Sequence, residues 1–287
     1  MWNNFKHTII RSRWQIVGWG LILGFYGAYM VSFYDNLVAM QDQFMELIAS
    51  YPPELLAAVG VTSPEELFSV SGYLNTYVFS YMPLIVGVMA ILLGSGLLAA
   101  DEEDGVLDLV IGHPVSRGRL FTGRLLAFAT TLAAVSAILW AGLAIGTMTV
   151  DLGLDAVDLI WPSLSLLAAL LFFGTFSLLA SMLLPSRKIA AMAAGTLLAV
   201  SFLLTMFGNL DPTLSSLADF SPLSYYQGGR AIAEVEWTWL AAQFAISALF
   251  AVIALWRFQK REIRVAGERG FSLPRLRLRR REVAHQA

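Results

Sequence analysis

The chain has 287 residues, of which 57% are hydrophobic and 14% charged, with a mean hydropathy of +0.66, whereas an ordinary soluble domain is about 45–50% apolar. This excess marks a polytopic all-α membrane protein. The net charge of −2 says little as a total, because the distribution of charge between loops is what orients a membrane protein. No cysteine is present, so disulfides, thiol catalysis and Cys-ligated metals are excluded, and His7, His113 and His285 lie too far apart to suggest a metal site. No metal and no nucleic-acid partner is expected.

Residues 1–13 place Trp2, Phe5 and Ile9 at helical spacing among Lys6, His7, Arg11 and Arg13, the pattern of an amphipathic helix lying in the headgroup region and joined to the first span by an elbow. A six-span domain is expected over 14–257, followed by a basic tail at 258–287. The first span, about 14–34, carries a ridge of small residues, Gly20, Gly24 and Ala28, suited to a close helix contact. Between Asp35 and Asn75 an acidic segment without Lys or Arg has Leu37, Met40, Phe44, Leu47, Ile48 and Tyr51 at helical spacing, and a second short helix capped by Ser63 with Pro64 and Glu66. Amphipathic helices packed on one membrane face and a ligand-binding ectodomain both remain open for it.

The second span, about 76–100, has Pro83 as a kink, and the third runs from about 120 to 148. The fourth covers about 161–184, the fifth about 189–210 and the sixth about 237–256, with a loop between the last two holding a short helix capped by Ser221 and Pro222. Lys6, Arg11, Arg13, Arg117, Arg119, Arg124, Arg187, Lys188 and the ten basic residues from Arg257 onward fall on one side of this topology, and Arg230 alone on the other. Basic residues stay cytoplasmic, so both termini are placed there, in a multi-pass protein of the cell membrane. The tail either binds anionic lipid or is a solvated strand of chain.

No span carries an ionisable residue in its central part, which argues against an ion-driven secondary transporter. No span supplies a base for an intramembrane hydrolase, and no G-x-x-x-x-G-K-[ST] loop exists, so the chain does not hydrolyse ATP in the P-loop manner. Energy for uphill movement would come from another subunit. Ser201, Thr205 and Asn209 recur every four residues on one face of the fifth span, either bonded to a neighbouring helix or facing a substrate path.

The most informative stretch is a charged island between two apolar runs, Asp101 to Arg124. Asp104 and Gly105 signal a turn and Pro114 ends whatever precedes it, so a helix between them spans only Val106 to Gly112, roughly 10 Å. So short a helix is unstable alone, yet it carries Val106, Leu107, Leu109, Val110 and Ile111. It needs an apolar groove, on a partner or on this chain's own helix ends.

Glu103-Asp104-Gly105-Val106-Leu107-Asp108-Leu109-Val110, then His113-Pro114-Val115-Ser116-Arg117, then Gly123-Arg124, resembles the pattern E-x-G-T-L-x-L-L, P-V-S-R and G-K of ABC type-2 permeases, the membrane subunits of exporter-type ATP-binding cassette systems. Val106 replaces a frequent Thr and Arg124 a frequent Lys. The resemblance implies a coupling helix in the loop 101–119 that docks on an ABC ATPase subunit, in two copies, with Glu103, Asp104, Gly105, Val106, Leu107, Leu109, Val110, Pro114 and Arg117 at that interface. It also implies a second permease, identical or paralogous, beside this one in the lipid bilayer. ATP and Mg would belong to the ATPase, with no cofactor held by this chain. The long acidic loop resembles an antibiotic or multidrug export subgroup. A non-transporting assembly or signalling subunit that uses the same loop as a docking platform is the competing reading.

Overall fold

The computed structural model describes residues 2–48, 51, 52, 68–103, 105, 116–210 and 215–260. The segment from Val106 to Gly112, the Ser63 cap and the tail beyond residue 260 lie outside them. Among the described residues six helices are long and apolar enough to cross a membrane. Span 1 is Trp2–Ala39, span 2 the composite Val70–Gly96, span 3 Arg117–Gly146, span 4 Ile160–Leu183, span 5 Arg187–Leu210 and span 6 Trp237–Lys260.

Span 1 does not turn an elbow at residue 13. It is one uninterrupted helix of 38 residues, about 57 Å at 1.5 Å per residue, longer than the roughly 40–45 Å of a whole bilayer. The change of composition between Arg13 and Trp14 marks where the apolar surface begins, while the helical hydrogen bonding continues through it.

Span 2 begins at Val70 and is built in three pieces. Ser69 caps Val70–Tyr73 by accepting a hydrogen bond from the Gly72 amide, a π-helical turn follows at Leu74–Phe79, and an α-helix runs over Met82–Gly96. Pro83 sits in the first turn of that last piece, where its missing N–H costs no intrahelical bond, so it starts a helix instead of bending one.

Small residues set the helix pairing. The ridge of span 1 lies on span 3: a side chain at Gly142 would run into the backbone of Gly24, and one at Gly27 would meet Leu139 and Leu143 at 3.2 Å. Span 4 occupies the middle of the bundle, with Ala168, Ala169, Leu170, Phe173 and Leu178 buried. It lies against span 2 where Gly94 faces the Gly174 carbonyl, and the Ser177 hydroxyl donates to the Ile91 carbonyl at 2.9 Å. Between membrane helices there is no water to expel, so such close approach, with its dispersion and hydrogen bonding, supplies the association. Spans 1, 5 and 6 have mostly open faces, among them Leu21, Phe25, Met192, Leu203 and Val252.

Two polar ends flank this apolar bundle. One holds Arg11, Arg117, Arg119, Arg187, Lys188 and Lys260 and is called the basic end here; the opposite end holds Asp42, Asp151, Asp155 and Asp158. The helix Gln41–Ile48 follows span 1 at the opposite end. Between spans 5 and 6 the short helix Ser215–Ala218 and two 3-10 turns, Pro222–Tyr225 and Gly228–Ile232, fold back onto the bundle.

Candidate functional site

The flanks of the charged island sit at the basic end, where they are tied to the spans around them. The chain leaves span 2 through the short helix Ala99–Glu103, and the Gly105 amide then bonds back to the Glu102 carbonyl at 3.2 Å with Gly105 at φ 69°. Only glycine takes this left-handed conformation without a Cβ clash, which accounts for the glycine in the turn signal.

Asp101 is 6% exposed, and a carboxylate taken so far from water must be paired. Arg11 donates from Nη1 to its Oδ1 at 2.8 Å, and Arg124 donates from Nη2 to its Oδ2 at 2.5 Å. The remaining guanidinium edge of Arg124 is used as well, through Nη1 to the Leu97 carbonyl at 2.9 Å. Burial raises the Asp101 carboxyl, but the hydrogen bonds and charges of Arg11 and Arg124 outweigh it and hold the group below the ordinary carboxylate range. One side chain thereby joins span 1, the exit of span 2 and the first turns of span 3.

Glu103 reaches a different span. Its Oε1 accepts a hydrogen bond from the backbone N–H of Arg187 at 2.8 Å, satisfying one of the orphan donors at the start of span 5, while Ser186 Oγ accepts from the Ile189 N–H at 3.3 Å. The Arg187 guanidinium lies over Gly96, where an added Cβ would stand 3.0 Å from Cζ and Nε. On the far side of the island Ser116 caps span 3 by accepting from the Arg119 N–H at 3.4 Å, and Arg117 Nη1 points to the Gln259 carbonyl at 3.5 Å, at the end of span 6.

Of the interface residues expected from sequence, Glu103, Gly105 and Arg117 are thus gathered at one end of the bundle; Asp104, Val106, Leu107, Leu109, Val110 and Pro114 lie outside the described residues. Asp101 and Arg11 were not singled out by sequence. The available signal was an acidic residue directly after the apolar run ending Ala99-Ala100, where a span would otherwise exit into a neutral turn.

The polar stripe of span 5 turns toward the segment folded back at the opposite end. Ser201 is 1% exposed, and its carbonyl accepts from Ser221 Oγ at 2.9 Å. Since that bond uses the Ser221 hydroxyl hydrogen, Thr205 is the donor in the 3.0 Å contact between Thr205 Oγ1 and Ser221 Oγ, which also accepts from the Leu223 N–H. The same folded segment is held to span 2 by the Gly229 N–H donating to Asn75 Oδ1 at 3.0 Å, and to span 4 by the Gln227 N–H donating to Ser165 Oγ at 3.0 Å. An apolar groove of about 220 Å³ runs between spans 3 and 4, lined by Trp140, Ile160, Leu164 and Leu167 among others.

Residues 1–263 match the family model described as "ABC-2 family transporter protein". No curated protein matches the chain. Six apolar spans, an acidic and glycine-containing loop between the second and third, and a family match over nearly the whole sequence lead to one assignment: this chain belongs to the ABC-2 family and is a polytopic membrane permease of the ABC transporter class, a transport component whose family works with an ABC ATPase.

Proposed function

We propose that this chain is the permease of an ATP-driven exporter, coupled to a separate ATPase through the loop 101–119. The observation that carries this reading is the anchoring of the loop's flanks: Asp101 to spans 1 and 3, Glu103 to span 5, and Arg117 to span 6. A loop that served only as a docking platform would not need its flanking carboxylates bound to helices on several sides. The ATPase, in two copies, would grip Val106, Leu107, Leu109 and Val110, with Asp104, Gly105, Pro114 and Arg117 shaping the approach and Glu103 tying the root of the loop to span 5, and would supply ATP and Mg. A second permease, identical or paralogous, would cover part of the open apolar surface and complete the substrate path. Ser201 and Thr205, bonded to the folded-back segment, would lie at the outer end of that path, with Asn209 next in the four-residue spacing of the sequence. ATP-dependent flux in vesicles carrying the chain with its ATPase tests the proposal; transport that follows an ion gradient and ignores ATP would overturn it.

The same reading places the basic end, and with it both termini, in the cytoplasm of a cell with this chain in its cell membrane. Single cysteines at Asp155 and Lys188, both exposed at opposite ends, check this in a chain that has none of its own. The first is expected to react with an impermeant thiol reagent applied outside and the second to remain unlabelled until the membrane is opened. The reverse pattern would invert the topology.

A further inference from the structure

Asp101 and Glu103 lie two residues apart on one short helix, so their side chains leave it in nearly opposite directions. Asp101 is held from two sides by Arg11 and Arg124, which fixes it to the pair formed by spans 1 and 3. Glu103 grips the first amide of span 5 by a single hydrogen bond. Span 5 itself buries one narrow face, Ala190, Ala194, Leu198 and Ser201, while Ile189, Met192, Val200, Leu203 and Phe207 are open. That face is narrow, with Leu198 seated over Gly87 as its one large side chain, so the bonds at the two ends share in setting the position of the helix. At the opposite end those bonds are the ones from Ser221 to the Ser201 carbonyl and from Thr205 to Ser221.

We propose that Glu103 is a positioning residue that passes displacement of the loop to span 5, with Asp101 as the fixed point about which the short helix turns. The proposal rests on the loop being the ATPase docking element. The carboxylate suits this role because it bonds a backbone N–H at a helix N-terminus, where the helix dipole strengthens the attraction, and does so from outside that helix's own sequence. Gly96 allows the arrangement, leaving room for the Arg187 side chain beside the capped amide.

The test needs no knowledge of the substrate. Spin labels on cysteines introduced at Phe207 and Met148, both exposed and near the opposite end, report the distance between spans 5 and 3 in the full complex, with and without Mg-ATP. The wild-type background is expected to show a nucleotide-dependent shift in that distance. Glu103→Ala is expected to keep the ATPase bound and hydrolysing ATP but to lose the shift. Glu103→Gln, which keeps an acceptor for the Arg187 amide, should restore part of it. Gly96→Ala, whose methyl displaces only the flexible Arg187 guanidinium and leaves the Glu103 bond to the backbone amide intact, is the control and is expected to keep the shift; its loss there would overturn the proposal by tracing the effect to the guanidinium. An unchanged shift in Glu103→Ala overturns the proposal, and so does loss of the ATPase from that variant, which would make Glu103 a docking contact instead. Absence of any bound ATPase with the wild-type chain would remove the functional reading itself, and this inference with it.

Discussion

Replacing Leu107 and Leu109 together by Asp is expected to abolish association with the ATPase and nucleotide-dependent transport, while the chain still inserts in the membrane at normal yield. Any helix that Gly105 and Pro114 allow over 106–112 would be short of two turns and would gain too few hydrogen bonds to offset its own nucleation, so the apolar residues of this stretch would need a partner surface. A carboxylate driven into an apolar groove without a partner costs several kcal/mol, which at 1.4 kcal/mol per tenfold is a loss of about a hundredfold or more in affinity. Both positions lie outside the six spans in the sequence. Co-purification of the ATPase with the tagged double variant, followed by flux in vesicles, measures both effects. Retention of the ATPase with full transport would show that the segment is not the docking element.

Asp101→Ala is expected to give the largest loss of stability among changes at the basic end. It leaves Arg124, whose side chain is 11% exposed, without its carboxylate, and breaking a buried pair from one side costs about 3–5 kcal/mol. Arg11 is 60% exposed, so Arg11→Ala removes only a solvated contact worth under about 1 kcal/mol. The thermal midpoint of the detergent-purified protein should therefore fall by several degrees for the first and barely move for the second. Equal effects would mean that Arg124 finds another partner or that Arg11 is more shielded than its exposure indicates. The pH dependence has a fixed sign. Because the folded state holds Asp101 below its ordinary value of 3.8, the pair stabilises at every pH above about 4 and is lost as the pH falls through the depressed value. Acid should thus narrow the gap between wild type and Asp101→Ala, and alkali should leave it unchanged.

The six spans were legible because uninterrupted apolar length is a strong signal, and the family was legible from some two dozen residues around Gly105 and Pro114. Helix limits were less so. The start of span 2 at Val70 is hidden because Ser71 and Asn75 break the hydropathy run while remaining helical. The continuity of span 1 across residue 13 is hidden for a related reason, since charged residues change which solvent a helix meets without changing its hydrogen bonds. Sequence also identified the face carrying Ser201 and Thr205 but not its partners, because Ser221 and Ser224 return to it only after the chain has turned back at the opposite end. Least visible of all was the clamp. Arg11 and Asp101 are 90 residues apart, and nothing in either local pattern couples them. Arg124 stood out only as a departure from the family's Lys; at this position a guanidinium engages both Asp101 and the Leu97 carbonyl, two acceptors that its planar fork reaches together.

What touches the segment between Gly105 and Ser116 decides whether it docks the ATPase. A photo-crosslinking amino acid at position 109, in the complete complex in native membranes, tests this directly when its adducts are identified by mass spectrometry. One dominant protein adduct is expected, a subunit carrying a nucleotide-binding P-loop, formed from position 109 and not from a control position such as Leu203 on the open face of span 5. Adducts only with lipid, or only with this chain's own helix ends, in a complex that still transports at the expense of ATP, would contradict it.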